Sequence, residues 1–149
     1  MFIIKSVILK KKLIEKYIDL FSNLTVCSIK QFDDIVDKDV EFSDPFNRVK
    51  GIENFKNIFY HMFKNTKDPK FTIIDYSINK RRTYLKWEMS FFAFKSNHII
   101  IGMSEINCNK IGKIISHHDY WDSLNGIFIK LPLIGFLYKA SLKIFSIKN

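Results

Sequence analysis

The chain is short of the residues that staple, interrupt or span. Its two cysteines, Cys27 and Cys108, are too few for a disulfide framework and lack metal-type spacing, so each reads as a small buried hydrophobe. Proline and glycine number only three and five, and there is no internal repeat and no low-complexity linker. No apolar run approaches the roughly 18 to 20 residues of a bilayer span, because lysines interrupt both residues 2–9 and the tail after Ser123. The N-terminal apolar patch has its lysines within or after it and no small-residue cleavage site behind it, so a cytoplasmic protein is expected. Acidic residues are also scarce, 15 against 24 Lys and Arg, for a formal charge of +9. Residues 1–50 are nearly balanced. The excess sits at Lys80-Arg81-Arg82 and in the tail, where Lys130, Lys139, Lys143 and Lys148 meet no acid. A chain rich in Ile, Lys, Asn and Phe is what an AT-biased genome produces, and no nucleic-acid partner is read from the charge.

What the chain has is apolar and aromatic material. With 47% hydrophobic and 15% aromatic residues, its 149 positions suffice for the core of one domain, 1–149, with 123–149 as an apolar, basic C-terminal extension. Leu13, Ile14, Tyr17, Ile18, Phe21 and Leu24 recur at helical spacing opposite Lys12, Glu15, Lys16 and Asp19, which predicts a helix over 10–24. A shorter helix is expected from Ser28, with Ser28 and Gln31 at capping-box spacing and Asp37-Lys38-Asp39 ending it. Val40-Glu41-Phe42 reads as a short extended piece, and a third helix follows Gly51. From Phe71 the period falls from 3.6 to 2. Strands are predicted over 71–79, 83–94, 99–109 and 113–122, joined by turns at 79–82, 95–97 and 110–112 into an antiparallel meander. Pro132 is placed to start a last helix through Phe145. The fold class is α+β: a cone-shaped, curved antiparallel sheet with N-terminal helices enclosing a pocket, plus a C-terminal helix.

The most informative stretch is Gly112-Lys113-Ile114-Ile115-Ser116-His117-His118-Asp119-Tyr120-Trp121-Asp122, which puts ionisable groups on what reads as a buried strand. Strand side chains alternate, so His117, Asp119 and Trp121 share one face. A His, a carboxylate and an indole together are costly to bury unless they line a cavity or find hydrogen-bond partners. In the second strand of the meander Leu85, Trp87, Met89 and Phe91 share a face opposite Lys86, Glu88 and Ser90.

Three segments in order give a resemblance to a known superfamily: Tyr17 on the first helix; Val40-Glu41-Phe42-Ser43-Asp44-Pro45 followed by Gly51-Ile52-Glu53; and Gly112-Lys113-Ile114 leading to Asp119-Tyr120-Trp121. Over roughly residues 10–122 the sequence resembles the superfamily that includes nuclear transport factor 2, the SnoaL-like polyketide cyclases and ketosteroid isomerase. The resemblance implies a cone with a small-molecule pocket, Asp44 at the position of the isomerase general base and Tyr17 at its oxyanion-hole tyrosine. Ser104 stands where that isomerase has a second, acidic oxyanion donor, so steroid isomerisation itself is not implied. An epoxide-hydrolase-like branch uses an Arg between carboxylates inside the cone, whereas Arg48, Arg81 and Arg82 are expected in loops or turns.

Each residue has a plainer role open to it. Asp44 is either a general base or the capping carboxylate of an Asp-Pro turn. Tyr17 is either an oxyanion donor or a core tyrosine, and His117 with Asp119 is either an acid–base pair or a polar pocket wall. On one strand i and i+2 are about 7 Å apart, so those two bond only by leaning toward each other. No metal site is expected, since adjacent strand residues point opposite ways, and neither cysteine sits in a nucleophile motif. The expected function is a small-molecule pocket protein, an isomerase or cyclase without metal or organic cofactor that moves a proton on an apolar carbonyl compound. Asp44, Tyr17, His117 and Asp119 would be catalytic, with Trp87, Met89, Phe91, Ser104 and Trp121 binding the ligand. The alternative is a non-catalytic ligand-binding or dimerisation module. A homodimer is expected through the outer sheet face bearing Tyr84, Phe92, Phe94 and Tyr120. For the apolar tail, packing on its own sheet or a second subunit stands against peripheral membrane contact.

Overall fold

A computed structural model describes residues 2–79, 82–130 and 132–145, with side chains for 8–79, 82–129 and 134–141. Helix α1 (Phe2–Ser22) opens the fold. The 3-10 turn Ile29–Gln31 and one-turn helix α2 (Phe32–Ile35) follow, then strands β1 (Val36–Ser43) and β2 (Arg48–Lys50) and helix α3 (Ile52–Asn65). Strands β3 (Lys67–Ile78), β4 (Arg82–Ala93), β5 (Ser96–Cys108) and β6 (Ile114–Trp121) form the meander. Short helix α4 (Ser123–Gly126), a 3-10 turn at Phe128–Lys130 and helix α5 (Pro132–Phe145) complete the order.

Of the expected stripe of the first helix Ile14, Tyr17 and Phe21 are buried and Leu13, Ile18 and Leu24 partly so, and Leu20 joins the buried face. In α3 the same logic buries Phe55 and Phe59. Lys56 is drawn in beside them because its ammonium is held at 2.8 Å by both Asp33 and Glu53. Phe21, Phe32, Phe55 and Phe59 then pack with ring centroids 5.1–5.4 Å apart, so the interior of the cone is occupied by the protein's own phenylalanines.

The sheet differs from the expected one in a way that matters for the site. Its strand order is β2-β1-β6-β5-β4-β3, and β1 runs parallel to β6, so it is mixed rather than wholly antiparallel. Residues Asp37-Lys38-Asp39, expected to end a helix, belong to β1 instead. Asp37 is half-buried and Lys38 and Asp39 are exposed, a run that breaks the strand alternation where the β1–β6 register is irregular, so no local pattern marked it as strand. Ser28 makes no side-chain cap: its Oγ accepts from the Thr25 N–H and Thr25 Oγ1 from the Ser28 N–H, and the expected helix is reduced to a 3-10 turn and the one-turn α2. The β4–β5 connection is a two-residue turn at Phe94-Lys95, both at positive φ, tighter than the expected 95–97 loop. Arg48 and Arg82 open strands β2 and β4 rather than lying in loops, and Arg82 pairs with Glu105 at 3.0 Å; Arg81 lies outside the described residues.

Register sets which side chains meet. Trp87 pairs with Gly102, Leu85 with Ser104, Ser104 with Asp119 and Ile106 with His117, which stacks the inward residues of β4, β5 and β6 in one row. Gly102 is required there, since a Cβ would overlap the six-membered ring of Trp87.

Candidate functional site

Four elements build one buried polar cluster. Helix α1 supplies Tyr17, β6 supplies His117 and Asp119, and β4 and β5 supply Trp87 and Ser104. His117 is 3% exposed and sits among the rings of Phe21, Phe42 and Phe55. Its Nδ1 is 2.6 Å from the Tyr17 hydroxyl, and its Nε2 is 2.7 Å from Asp119 Oδ1 and 3.1 Å from Ser104 Oγ. The two strand residues therefore lean together. The Trp87 Nε1–H donates to Ser104 Oγ at 2.8 Å, and Ser104 donates to Asp119 Oδ1 at 2.5 Å.

Donor and acceptor chemistry fixes the direction of this chain. A carboxylate only accepts, so Nε2 carries the imidazole proton and Nδ1 is left to accept from Tyr17. The Trp87 indole can only donate, which turns the serine proton toward Asp119. The polar side-chain atoms of Tyr17, His117, Ser104 and Trp87 are all satisfied, the condition under which a polar cluster survives inside a phenylalanine core. Burial pushes the Tyr17 phenol well above its ordinary value, and the Asp119 charge adds to it, so Tyr17 stays a donor.

One atom of the cluster is left over. Asp119 is 17% exposed, its Oδ2 accepts no hydrogen bond among the described residues, and the residue lines an open cavity of about 570 Å³. The segment 43–48, from the end of β1 to the start of β2, forms one wall and Asp119, Tyr120 and Trp121 form the other. Phe46 and Trp121 meet edge to face at 5.2 Å, giving the cavity an aromatic floor beside its carboxylate.

The sequence-expected residues divide accordingly. Tyr17, Trp87, Ser104, His117 and Asp119 are brought into one network. Asp119 and Trp121 reach the cavity, whereas Trp87, Met89, Phe91 and Ser104 are not among its lining residues; Phe91 stacks instead on His98, 5.1 Å away at 9°. Tyr17 has its hydroxyl on His117 and is fully enclosed, out of reach of a ligand at the rim. Asp44 lines the cavity but holds its own loop together. Its Oδ1 accepts from the backbone N–H of Phe46 at 2.7 Å and of Asn47 at 2.6 Å, and the Asn47 amide bonds both of its oxygens at 3.0 Å. Phe46, Arg48 and Tyr120 line the cavity without having been read from the sequence, although the Asp-Pro turn was the signal that a loop would present its next residues there. Equally unread is the bond of Ser43 Oγ to His118 Nδ1 at 2.8 Å, which depends on the parallel β1–β6 pairing. Among the described residues no three His, Cys, Asp or Glu side chains are grouped so as to hold a metal ion.

No curated protein sequence matches the chain. Solved structures do. An NTF2-like protein of unknown function from Exiguobacterium sp. 255-15 superposes with a TM-score of 0.64 at 17% identity, over 74% of this chain and 98% of that one. A protein of ketosteroid isomerase-like fold from Catenulispora acidiphila, in complex with trimethylamine, gives 0.66 at 8% identity over 78% and 89%. An LEH-like epoxide hydrolase of M. tuberculosis gives 0.62 at 13% over 91% and 95%. Identities this low speak for the fold alone. The family model for the SnoaL-like domain matches residues 14–115, from the middle of α1 to the start of β6, taking in Tyr17, Trp87 and Ser104 and stopping just short of His117 and Asp119. With the α+β cone and the match over most of its length in agreement, the chain belongs to the SnoaL-like domain family.

Proposed function

We propose that the protein binds a small apolar carbonyl compound at the rim of the cone and that Asp119 exchanges a proton with it. The observation that supports this most is the division of labour at Asp119: Oδ1 is held by His117 and Ser104, while Oδ2 has no partner and the residue faces the cavity. A base is useful only when its orientation is fixed and one lone pair is free. In this reading Oδ2 takes a proton from the carbon next to the carbonyl and returns it elsewhere on the same skeleton. The Nε2–H of His117 and the hydroxyl of Ser104 stay on Oδ1 throughout, and Tyr17 keeps His117 in the tautomer that can donate. Tyr17, His117, Ser104 and Trp87 are thus positioning residues, Asp119 is the catalytic one, and Asp44 shapes the wall that the ligand meets. Phe46 and Trp121 supply the apolar contact. We place this activity in the cytoplasm, in keeping with free Cys27 and Cys108.

A binding module without turnover is the second reading. What favours it is the filling of the cone by Phe21, Phe32, Phe55 and Phe59, which leaves the carboxylate at an open rim rather than in a closed, water-free chamber. Titrating the isotope-labelled protein with a panel of small ketones and enones tests the location common to both. The Trp121 indole and Asp119 carboxyl signals should move, and Trp121→Ala should weaken binding. Shifts confined to other parts of the molecule would remove the cavity from consideration.

A further inference from the structure

Helix α5 leaves large apolar side chains exposed that no described residue covers. It packs on the 3-10 turn before it, where Gly135 lies so close to Ile129 that a Cβ would overlap the Ile129 carbonyl. The sides turned away carry Phe136, 71% exposed, Leu137, 60%, and Ile134, 41%. Three large apolar side chains left in water on one helix are more than a lone surface leucine, which needs no explanation. The protein's own sheet is not their cover, because the outer-face residues Ile99, Ile101 and Met103 remain exposed themselves.

Charge decides among the remaining occupants. From Ser123 to the end the sequence holds Lys130, Lys139, Lys143 and Lys148 and no acidic residue. Packing the tail against the tail of a second copy would add positive charge to positive with no carboxylate from either to offset it. A layer of phosphate headgroups supplies that missing negative charge and an apolar bed beneath it. The helix has 14 residues, about 21 Å of axis against a hydrocarbon core of about 30 Å, so it lies on a bilayer rather than crossing one.

We propose that α5 docks the protein on an anionic lipid surface. Phe136, Leu137 and Ile134 enter the acyl boundary, and Lys139 holds its ammonium at headgroup level. This is independent of what the rim cavity binds.

Sedimentation of the full chain with vesicles tests it. The wild type should pellet with phosphatidylcholine vesicles containing phosphatidylglycerol, stay in solution with phosphatidylcholine alone, and be released by added salt. Lys139→Gln should weaken binding about fivefold, the worth of one lysine near such a surface. Phe136→Asp should lower it more than tenfold and leave the unfolding midpoint unchanged, as suits an exposed position. Absence of binding to the anionic vesicles, equal binding to neutral ones, or undiminished binding of Phe136→Asp would overturn the proposal. So would a wild-type dimer that ignores vesicles and that Phe136→Asp turns into a monomer, since the face would then belong to a second copy.

Discussion

Tyr17→Phe removes one oxygen from the centre of the fold and keeps the ring, which makes it a clean probe of the buried relay. The loss leaves His117 Nδ1 without a donor in a shell of phenyl rings that admits no replacement. A buried nitrogen abandoned in this way costs about 1–3 kcal/mol, and the variant should be less stable by that amount at neutral pH. The difference should then shrink with alkalinity. The folded-state value of Tyr17 is raised above the ordinary 10.0, so below that pH both states of the wild type hold the phenolic proton and the full difference is present. Above it the unfolded chain ionises while the folded one does not. The wild type therefore sheds about 1.4 kcal/mol per pH unit that the variant keeps, and the two should converge within about one to two units. Lys56, raised by its hydrogen bonds to Asp33 and Glu53, and Cys108, raised by burial, also lose stability as pH climbs, but both are present in each protein and cancel in the difference. Urea unfolding of the pair, followed by tryptophan fluorescence across neutral and alkaline pH, reads all of this. Equal midpoints at neutral pH, or curves that stay parallel through the alkaline range, would refute the reasoning.

Two further outcomes follow from packing. Gly102→Ala forces the Trp87 ring off its site and with it the indole bond to Ser104, so it should cost about 1–3 kcal/mol and shift the tryptophan emission; an unchanged urea midpoint would count against that close approach. The homodimer remains a proposal, resting on exposed Ile99, Ile101, Met103 and Tyr120 on adjacent strands with Lys86 and Glu88 beside them, a mixture able to meet its own copy about a two-fold axis. Light scattering should give a dimer for the wild type and a monomer for Ile101→Lys, and a wild-type monomer would remove the sheet from the argument.

The sequence made legible whatever rests on short-range periodicity. Alternation in β4 put Trp87 inward and Lys86 outward, and alternation in β6 put His117 and Asp119 on one side; both agree with the observed register. Pro132 marked the start of α5 for a local reason, since its ring presets helical φ. What stayed hidden depends on partners far away in sequence. The parallel pairing of β1 with β6 brings together residues more than seventy positions apart and shows in no local pattern. Tyr17 could be seen on a buried stripe, but its hydroxyl meets His117 only because folding brings α1 within reach of a side chain a hundred residues later. Asp44 shows the opposite case, because its Asp-Pro turn reading was available locally and its carboxylate bonds Phe46 and Asn47 as such turns do.

The most direct test of the central proposal is hydrogen exchange at carbon. A small carbonyl compound that perturbs the Trp121 signal is incubated in heavy water with wild type, Asp119→Asn and Asp44→Asn, and its C–H signals next to the carbonyl are followed by proton NMR. Asn keeps the shape of Asp and loses the ability to accept a proton. The account predicts enzyme-dependent loss of those signals with wild type and with Asp44→Asn, and none with Asp119→Asn although the Trp121 shift persists. Binding without exchange in the wild type, or exchange that survives Asp119→Asn, would contradict it.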